Sequence, residues 1–480
     1  MSAKAPVRLP APGCRTRSRP LRPRLPSATA AGSKCQASPG AARTAAPIAA
    51  RCIRSGIALT ESTAGGLLDL ELIAPASARA SLDISRIELP PRLRSTAELG
   101  VLDISEFFGE TTGGVRTYLL QKARYVQRRP RLRQTIVVPG AGDAILEASG
   151  VRCFRLHGPM IPTQKPYRFM LATRSTSRIV AHERPDLIEV GSAWFAPWLV
   201  HHATRQLDVP AVWFYHSNFP RVIAPWPERV SRVRRAAADF AWSYVRRLGR
   251  MVRATLAPSA FVAGELERAG VERVVRISLG VDLELFHPAR REVAAETRRR
   301  AGLPEGRLAI FVGRFAVEKE IDVLLSAWPE VEQRTGARLV LLGDGPARAR
   351  LQRRRGSDKV CWLPYERDRD RLADLLAAAD LYVAPCSIET FGLSALEALA
   401  SGTPILSADR GGVAESVAAS GGGALFRSGD PGSLAEVAVS LLGGDLPALG
   451  ALGRAHAERH HGWDAVLDRL FDVYGKILGS

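Results

Sequence analysis

The sequence predicts an α/β protein in which two Rossmann-like domains face a central cleft. Short apolar runs typical of buried parallel strands alternate with helical stretches between residues 98 and 475. Most of the runs end in glycine-rich turns, and the alternation begins again after residue 285. We therefore expect an N-terminal domain over residues 98–285 and a C-terminal domain over 286–460. A last helix over 461–480 can cross back to the N-terminal domain.

The first 97 residues are predicted to be a disordered extension followed by a transition, which covers residues 61–96 and is assigned no function. They are rich in proline, alanine and arginine, and residues 1–60 carry eleven basic side chains and no acid. Such a segment buries too little apolar surface to order itself. Its composition also fits an organelle transit peptide, or a start of translation upstream of the natural one. The chain has 480 residues, of which 46% are hydrophobic, so the part after the extension is long enough for two cores.

A glycine pair opens the N-terminal domain. The strand-like run 98–105 is followed by Gly113-Gly114 and then by a helical stretch. Glycine lets the backbone approach a ligand closely, and the first amides of the helix attract a phosphate. His216 follows the last strand candidate of the domain, at the end of the strand where open parallel sheets bind ligands. The later strand candidates of this domain are residues 135–138, 187–190 and 212–215.

Two cations follow the first strand of the C-terminal domain. Residues 308–312 form the strand, Gly313-Arg314 is its exit, and Glu318-Lys319 opens the next helix. Arg314 and Lys319 are therefore expected beside one edge of the sheet, although a solvated surface pair has the same pattern. Similar strands with turns are predicted at residues 339–342, 380–384 and 404–407.

Two glutamates eight residues apart flank a Phe-Gly turn in the same domain. Glu389 lies in the loop after strand 381–384, and Glu397 lies in the predicted helix 393–401. A carboxylate accepts paired hydrogen bonds from neighbouring hydroxyls, so Glu389 suits a pyranose and Glu397 suits a ribose. The helix N-terminus between them suits a pyrophosphate. By themselves, the two residues also fit a capping acid and a solvated helix glutamate.

The net charge of +19 is concentrated in two segments. Besides residues 1–60, residues 221–253 carry nine arginines against two acids. We find no basic groove with interleaved aromatic residues, so nucleic acid is not an expected partner. From residue 230 onward, apolar residues recur at helical spacing, which suits either an anionic membrane surface or a domain helix with a solvated arginine face. These residues are Val233, Ala237, Phe240, Ala241, Tyr244, Leu248 and Met251.

Neither a membrane span nor a secretory signal is predicted. No uninterrupted apolar run reaches the roughly 18 residues that a spanning helix needs. The six cysteines show no C-x-x-C pairing, which favours free thiols in a reducing compartment over structural zinc. We therefore expect a cytoplasmic protein, peripheral on the inner face of the plasma membrane if the basic helix binds lipid.

In their order and spacing, five motifs between residues 98 and 475 resemble a family-four glycosyltransferase of the GT-B fold. The resemblance implies a retaining enzyme, without metal or cofactor, that takes a nucleotide sugar into the cleft between its domains. The motifs are Gly113-Gly114, Gly313-Arg314 with Glu318-Lys319, Gly343-Asp344-Gly345-Pro346, the segment 389–404, and Gly411-Gly412-Val413-Ala414-Glu415.

The resemblance also implies roles for individual residues. Arg314 and Lys319 would neutralise the donor pyrophosphate, and Glu389 would hold sugar hydroxyls. Glu397 would bind the ribose. His216 would touch the donor sugar near the reacting carbon, although it fits a hydrogen-bonded core histidine about equally well. The implied donor-binding set is completed by Gly113, Gly114, Gly313, Phe391, Gly392 and Leu393.

Some residues depart from the family pattern or imitate another one. Glu320 stands where a glycine usually follows Glu-Lys, and its charge would weaken the phosphate grip of Lys319 if both side chains face the cleft. Leu279 and Ala414 replace an asparagine and a proline that are usual in the family. Asp368-Arg369-Asp370 imitates a metal-binding Asp-x-Asp, but its alternating charges at a helix start predict a solvated face.

The expected function is transfer of a hexose, mannose or glucose, from a nucleotide diphosphate sugar to a hydroxyl of a glycan or lipid-linked acceptor. Fixed cations and helix dipoles suit this reaction because the leaving diphosphate gains negative charge. Two other readings remain open. One is a GT-B-fold sugar-nucleotide epimerase or phosphorylase, and the other is a non-catalytic sugar-nucleotide-binding or membrane-surface scaffold.

Overall fold

Two sheets organise the part of the chain that the computed structural model describes. The arrangement confirms the predicted α/β class with two Rossmann-like sheets. The predicted disorder of residues 1–82 lies outside the described residues. The described residues are 83–93, 97–109, 113–162, 167–205, 207–223, 232–354 and 359–479.

The N-terminal sheet consists of β1 (Leu99–Ile104), β2 (Leu132–Gly140), β3 (Ala144–Ala148), β4 (Val151–His157), β5 (Leu187–Val190), β6 (Ala211–Phe214), β7 (Ala254–Ala257) and β8 (Val274–Arg276). Their spatial order is β3-β4-β2-β1-β5-β6-β7-β8, and only the β3–β4 pair is antiparallel. The sequence pattern does not indicate β4, because arginines interrupt its apolar run. In the structure Arg152 is buried there and pairs with buried Glu183 at 2.5 Å.

The C-terminal sheet consists of β9 (Leu308–Val312), β10 (Arg338–Leu342), β11 (Cys361–Leu363), β12 (Leu381–Ala384), β13 (Ile405–Ala408) and β14 (Gly423–Phe426). These strands are parallel in the order β11-β10-β9-β12-β13-β14. The direction of winding reverses between β9 and β12, and in the other sheet between β1 and β5. Ligands of open α/β sheets bind at such switch points, beyond the carboxyl ends of the strands.

Helices cover both sheets. In the N-terminal half they are α1 (Gly114–Gln127), α2 (Thr173–Glu183), α3 (Ala196–Thr204), α4 (Phe219–Ile223), α5 (Arg232–Arg250) and α6 (Ala260–Arg268). In the C-terminal half they are α7 (Ala294–Arg300), α8 (Ile321–Thr335), α9 (Arg348–Gln352), α10 (Arg369–Ala378), α11 (Leu393–Ala400), α12 (Gly412–Ser420), α13 (Pro431–Leu442), α14 (Leu446–His460) and α15 (Trp463–Leu478).

Residues 83–93, which the sequence places in the transition before the N-terminal domain, belong to the folded part. Ile84 is fully buried in the N-terminal core, and Leu89 is nearly so. The backbone of this segment is also held by side chains of the domain. Arg152 donates to the carbonyl of Pro91 at 2.6 Å, and Arg178 donates to the carbonyl of Ile84 at 2.9 Å.

The last helix, α15, packs against α1 of the N-terminal domain. Arg128, the residue after α1, pairs with Asp464 at 2.5 Å, and the hydroxyl of Tyr125 in α1 donates to Asp468 at 2.5 Å. The opposite side of α15 lies in the core, where Leu467 and Leu470 are fully buried. The helix is therefore a structural link to the N-terminal half rather than a free tail.

A buried polar cluster joins α15 to the N-terminal sheet. Lys122 donates to Asp103 at 2.6 Å and to the Tyr474 hydroxyl at 2.8 Å, and its Nζ lies 3.4 Å from Glu189. The Tyr118 and Tyr474 hydroxyls both donate to Glu189. Burial raises the pKa of Glu189, and the positive charge of Lys122 opposes that rise. The single cation thus compensates two buried carboxylates.

Helix α5 buries its apolar side inside the N-terminal domain. Ala238, Ala241, Val245 and Leu248 are buried, whereas Phe240 is 75% exposed. The sequence spacing predicts that Phe240 belongs to the apolar stripe, and this prediction is wrong because the side chain is exposed. The buried stripe favours a domain helix with a solvated arginine face over one that lays this stripe on a membrane.

No single helix among the described residues has both the length and the apolar composition of a membrane span. Helices α13 and α14 pass such a test only when they are taken together, and a bend of 100° separates them. This result rests on length and composition alone.

Candidate active site

A cleft of about 1070 Å³ lies between the switch points of the two sheets. Its lining comes from both halves of the chain, including the loops after β1, β6, β9 and β12. Every site residue that the sequence singles out lies on this lining. They are Gly113, Gly114, His216, Gly313, Arg314, Lys319, Glu389, Phe391, Gly392, Leu393 and Glu397.

Two helix N-termini meet across the cleft. Helix α1 begins after Gly113, and α11 begins after Gly392. Both glycines have positive φ, +123° and +90°, and among the described residues no side-chain cap accepts a hydrogen bond from the amides of either helix start. A Cβ placed on Gly114 would lie 3.0 Å from Cδ1 of Leu393, so the two helix starts approach closely. Uncapped helix starts of this kind suit an anion, because their first amides and the helix dipole are positive.

The two predicted cations lie at the exit of β9, and each is paired with an acid. Arg314 donates to Glu318 at 2.5 Å, and Lys319 forms an ion pair with Glu389. Their side chains are only 26% and 23% exposed, which excludes a fully solvated surface pair. Burial is the largest single influence and lowers the pKa of Lys319, but the charge and the hydrogen bond of Glu389, together with smaller influences, raise that pKa above its ordinary value. Lys319 therefore stays a cation.

Glu320 does not compete for the cleft. It takes a left-handed conformation with φ 52° between the 3-10 turn Val317–Lys319 and α8. Its carboxylate accepts hydrogen bonds from the backbone and hydroxyl of Ser387. The carboxylate of Glu320 holds the loop after β12 and does not face the cleft. It therefore gives no reason to expect weaker phosphate binding by Lys319. The same turn delays the start of α8 to Ile321, beyond the predicted start at Glu318-Lys319.

His216 is stacked on the ring of Phe214, with centroids 4.2 Å apart, and its buried Nε2 has no hydrogen-bond partner among the residues that the structure describes. Burial lowers the pKa of His216 to about 3, and the nearby charge of Lys122 acts in the same direction. The imidazole is therefore neutral at physiological pH. An unsatisfied ring nitrogen on a cleft wall distinguishes His216 from a hydrogen-bonded core histidine.

We expect the pH dependence of activity to show no ionisation of His216 between pH 5 and 8. Protonation would require a pH near 3, so lowering the pH to 5 leaves the ring neutral. His216→Gln should lower kcat/KM about tenfold through the loss of one contact, without changing the shape of the profile. Initial rates across this range test the expectation. A limb in the wild-type profile that disappears in His216→Gln would contradict it.

In the Asp368-Arg369-Asp370 segment both aspartates are exposed, as predicted, but Arg369 is not. Arg369 turns into the cleft and donates to Oε1 of Glu397 at 2.6 Å. Asp368 caps the N-terminus of α10 instead, and Asp370 pairs with Arg290 at 2.6 Å. Sequence reasoning missed Arg369 because a three-residue charge pattern does not show which member faces inward.

Aromatic side chains line the N-terminal wall of the cleft, and sequence reasoning also missed these. The ring of Trp194 packs edge-on against that of Phe219 at 5.5 Å, and Phe107 packs against Tyr167 at 5.7 Å. All four residues contact the cleft. One available signal is that Trp194 follows β5 closely, at the strand end where ligands bind.

Contacts across the two halves close one side of the cleft. The Ser259 hydroxyl donates to the carbonyl of Thr390 at 2.7 Å, and the Thr390 hydroxyl donates to the carbonyl of His216 at 3.0 Å. Glu415 accepts hydrogen bonds from the first amides of α6, those of Ala260 and Phe261. The loop that carries Glu389 is thus tied to the wall that carries His216.

Two family models match the chain. The model described as Glycosyltransferase Family 4 matches residues 112–285, and the model described as Glycosyl transferases group 1 matches residues 306–443. Together they cover the two halves that contribute the cleft.

Curated relatives include two mycobacterial proteins. The GDP-mannose-dependent alpha-(1-6)-phosphatidylinositol dimannoside mannosyltransferase of Mycobacterium tuberculosis (strain ATCC 25177 / H37Ra) is 32% identical over 325 residues, which are 67% of this chain and 82% of that protein. A GDP-mannose-dependent alpha-mannosyltransferase of Mycobacterium tuberculosis (strain CDC 1551 / Oshkosh) is 29% identical over 78% of this chain and 96% of that protein.

Solved structures share the fold at lower identity. Sucrose-phosphate synthase from Thermosynechococcus elongatus superposes with a TM-score of 0.65 at 20% identity, over 79% of this chain and 99% of that one. Anabaena HepE in complex with UDP and glucose gives a TM-score of 0.60 at 19% identity, over 79% of this chain and all of that one.

Fold and cleft together define a glycosyltransferase of the GT-B class. More narrowly, the chain belongs to glycosyltransferase family 4.

Proposed function

We propose that the protein is a retaining mannosyltransferase that transfers mannose from GDP-mannose to a hydroxyl acceptor. The observation that carries the proposal is the cleft itself, in which two helix N-termini, Arg314, Lys319, Glu389 and Glu397 surround one space. The choice of GDP-mannose follows the names of the relatives, of which one is 32% identical. Retention is supported by their alpha products, because an α-linked sugar nucleotide that yields an α-linkage keeps its configuration.

In this mechanism the enzyme stabilises the charge of the departing diphosphate. Arg314, Lys319 and the free amides of α1 and α11 neutralise the pyrophosphate as the bond from the anomeric carbon to oxygen breaks. The acceptor hydroxyl oxygen forms the new bond on the same face, and its proton passes to the leaving phosphate. These protein cations take the place of a metal, so we propose a metal-independent reaction without a cofactor.

The two glutamates divide the donor between them. Lys319 engages Oε2 of Glu389, which leaves Oε1 for hydroxyls of the mannose. Glu397 would accept the ribose hydroxyls of the nucleotide. Glu389→Gln should therefore weaken binding of GDP-mannose but not of GDP, whereas Glu397→Gln should weaken both, each by about tenfold.

Calorimetry with GDP, GDP-mannose, UDP-glucose and ADP-glucose tests this proposal, together with an assay of GDP release. We expect GDP release only when an acceptor extract is present. Release that requires inorganic phosphate would favour a phosphorylase, and isomerisation of the sugar without release would favour an epimerase. Wild-type protein that binds none of the nucleotides would overturn the proposal, and binding without turnover would favour a scaffold.

We further propose a lipid-linked acceptor, reached from the cytoplasmic face of the membrane. Support comes from the relative whose name contains phosphatidylinositol dimannoside, and from α5, where Arg235, Arg250 and Phe240 are exposed. Because the apolar stripe of α5 is buried, such contact would depend on arginines and on Phe240.

Sedimentation with vesicles checks the membrane contact. We expect more protein to pellet with vesicles that contain anionic lipid than with purely neutral ones, and less when Arg235 and Arg250 are changed to glutamine. Lys476→Gln, which removes an exposed charge from α15, serves as the control. Equal partition to both kinds of vesicle would end the hypothesis.

A further inference from the structure

Arg369 occupies a defined place in the cleft lining, beside Glu397. It is the first residue of α10, and Asp368 fixes that position as the N-cap by accepting from the backbone amides of Asp370 and Arg371. The cap fixes where the helix begins, and the direction of the long Arg369 side chain follows from its own contacts. It lies beside Tyr365, which also lines the cleft.

The guanidinium of Arg369 is held on two sides. Its Nη2 lies 2.6 Å from Oε1 of Glu397, and its Cζ lies 4.9 Å from the ring centroid of fully buried Phe286. Burial is the largest single influence and lowers the pKa of Arg369, but the charge and the hydrogen bond of Glu397, together with smaller influences, raise that pKa, so the side chain remains a cation. A planar guanidinium can pair with a carboxylate and lie against an aromatic face at once.

The charge and the orientation of the Glu397 carboxylate depend on its contact with Arg369. Its side chain is only 7% exposed, and a buried carboxylate without a partner tends to become protonated or to turn away. Among the described residues, Arg369 is the only side chain that hydrogen-bonds or forms an ion pair with its carboxylate. Oε2 has no such partner there and is left for a ligand.

We infer that Arg369 is the positioning residue that holds the Glu397 carboxylate toward the nucleoside of the donor. This rests on the proposed function, in which Glu397 accepts the ribose hydroxyls. Arg369 acts through Glu397, and it does not touch the reacting atoms. Its effect therefore belongs to nucleotide binding rather than to bond breaking.

Calorimetric titration of GDP into the full-length variants tests the inference. Arg369→Gln should weaken GDP binding about 10- to 100-fold, because a buried carboxylate then loses its only side-chain partner. Arg369→Lys should weaken it less, since it keeps the charge but loses the planar fork. With GDP-mannose, KM should rise by a similar factor while kcat changes less than threefold.

A double variant separates positioning from general damage to the fold. Once Glu397→Gln has removed the carboxylate, adding Arg369→Gln should change GDP affinity by less than threefold, because the two residues act as one unit. Arg290→Gln is the matched control. Arg290 pairs with Asp370 and Asp374 of α10, the helix that carries Arg369. Because Arg290 itself lies outside the cleft lining, GDP affinity should not change.

The outcomes distinguish the inference from the proposed function. Wild-type protein that binds GDP, together with an Arg369→Gln variant of equal affinity, would overturn the role of Arg369 alone. Additive losses in the double variant would do the same. Wild-type protein without nucleotide binding would instead overturn the proposed function. If Arg369→Gln does not fold, the comparison of Arg369→Lys with wild type decides, since a loss of less than twofold would refute the inference.

Discussion

Replacing Lys319 with alanine is expected to lower kcat about 100- to 1000-fold, a loss of roughly 3–4 kcal/mol in transition-state stabilisation. Lys319 is three-quarters buried at the exit of β9, in contact with Glu389 and close to the helix starts that face the cleft. In the proposed reaction, a fixed cation at this place would oppose the charge that develops on the leaving diphosphate. Its removal also leaves the negative charge of Glu389 unbalanced beside the phosphates.

Steady-state rates with GDP-mannose measure this loss, and thermal unfolding shows whether the variant is folded. Lys319→Arg, which keeps the charge but changes its geometry, should recover part of the activity. Lys476→Ala on the surface of α15 should leave the rate unchanged. A folded Lys319→Ala protein with more than a third of wild-type kcat would contradict the role assigned to this cation.

Replacing Lys122 with methionine is expected to lower the free energy of unfolding by about 3–5 kcal/mol. Lys122 is fully buried between Asp103 and Glu189, which are themselves only 1% exposed on their side chains. Methionine fills similar space but leaves two buried carboxylates without their cation. Since Tyr474 also bonds Lys122, the change should loosen α15 from the N-terminal sheet.

Denaturant unfolding measures this effect, and its pH dependence provides a second check. Burial already raises the pKa of Glu189 in the folded protein, and the loss of Lys122 should raise it further. A raised carboxyl pKa gives stability that is fully present below the unfolded value near 4.5 and is lost as the pH rises through the folded value. The deficit of Lys122→Met should therefore be larger at pH 8 than at pH 5. A loss below about 1 kcal/mol, or the opposite pH trend, would argue against this account.

Much of the fold could be predicted from periodicity and turn residues. The runs at 187–190 and 308–312 coincide with β5 and β9, because a strand buried on both faces is a continuous apolar run bounded by breakers. The prediction fails at β4, where Arg152 can be buried because it forms an ion pair with Glu183. A residue-by-residue reading of polarity cannot include a partner that lies 31 positions away.

In the candidate site, too, some residues could be predicted from local sequence and others could not. Gly113-Gly114 and the segment from Glu389 to Glu397 are local signals, since a glycine turn at a strand end and an open helix N-terminus arise from neighbours in sequence. Arg369 carries no such signal. Its turn toward Glu397 depends on the packing of α10 against α11, and the solvated alternative has an identical local pattern.

By itself, the sequence determined the α/β class, the two Rossmann-like halves and the family resemblance, because these depend on the periodicity and order of local motifs. Only the tertiary structure decided which charges face the cleft. Glu320 turned to Ser387, Arg369 turned to Glu397, and the apolar side of α5 turned into the core. The physical reason is that the cost of burying a charge depends on its partner, and partners far apart in sequence meet only when the chain folds.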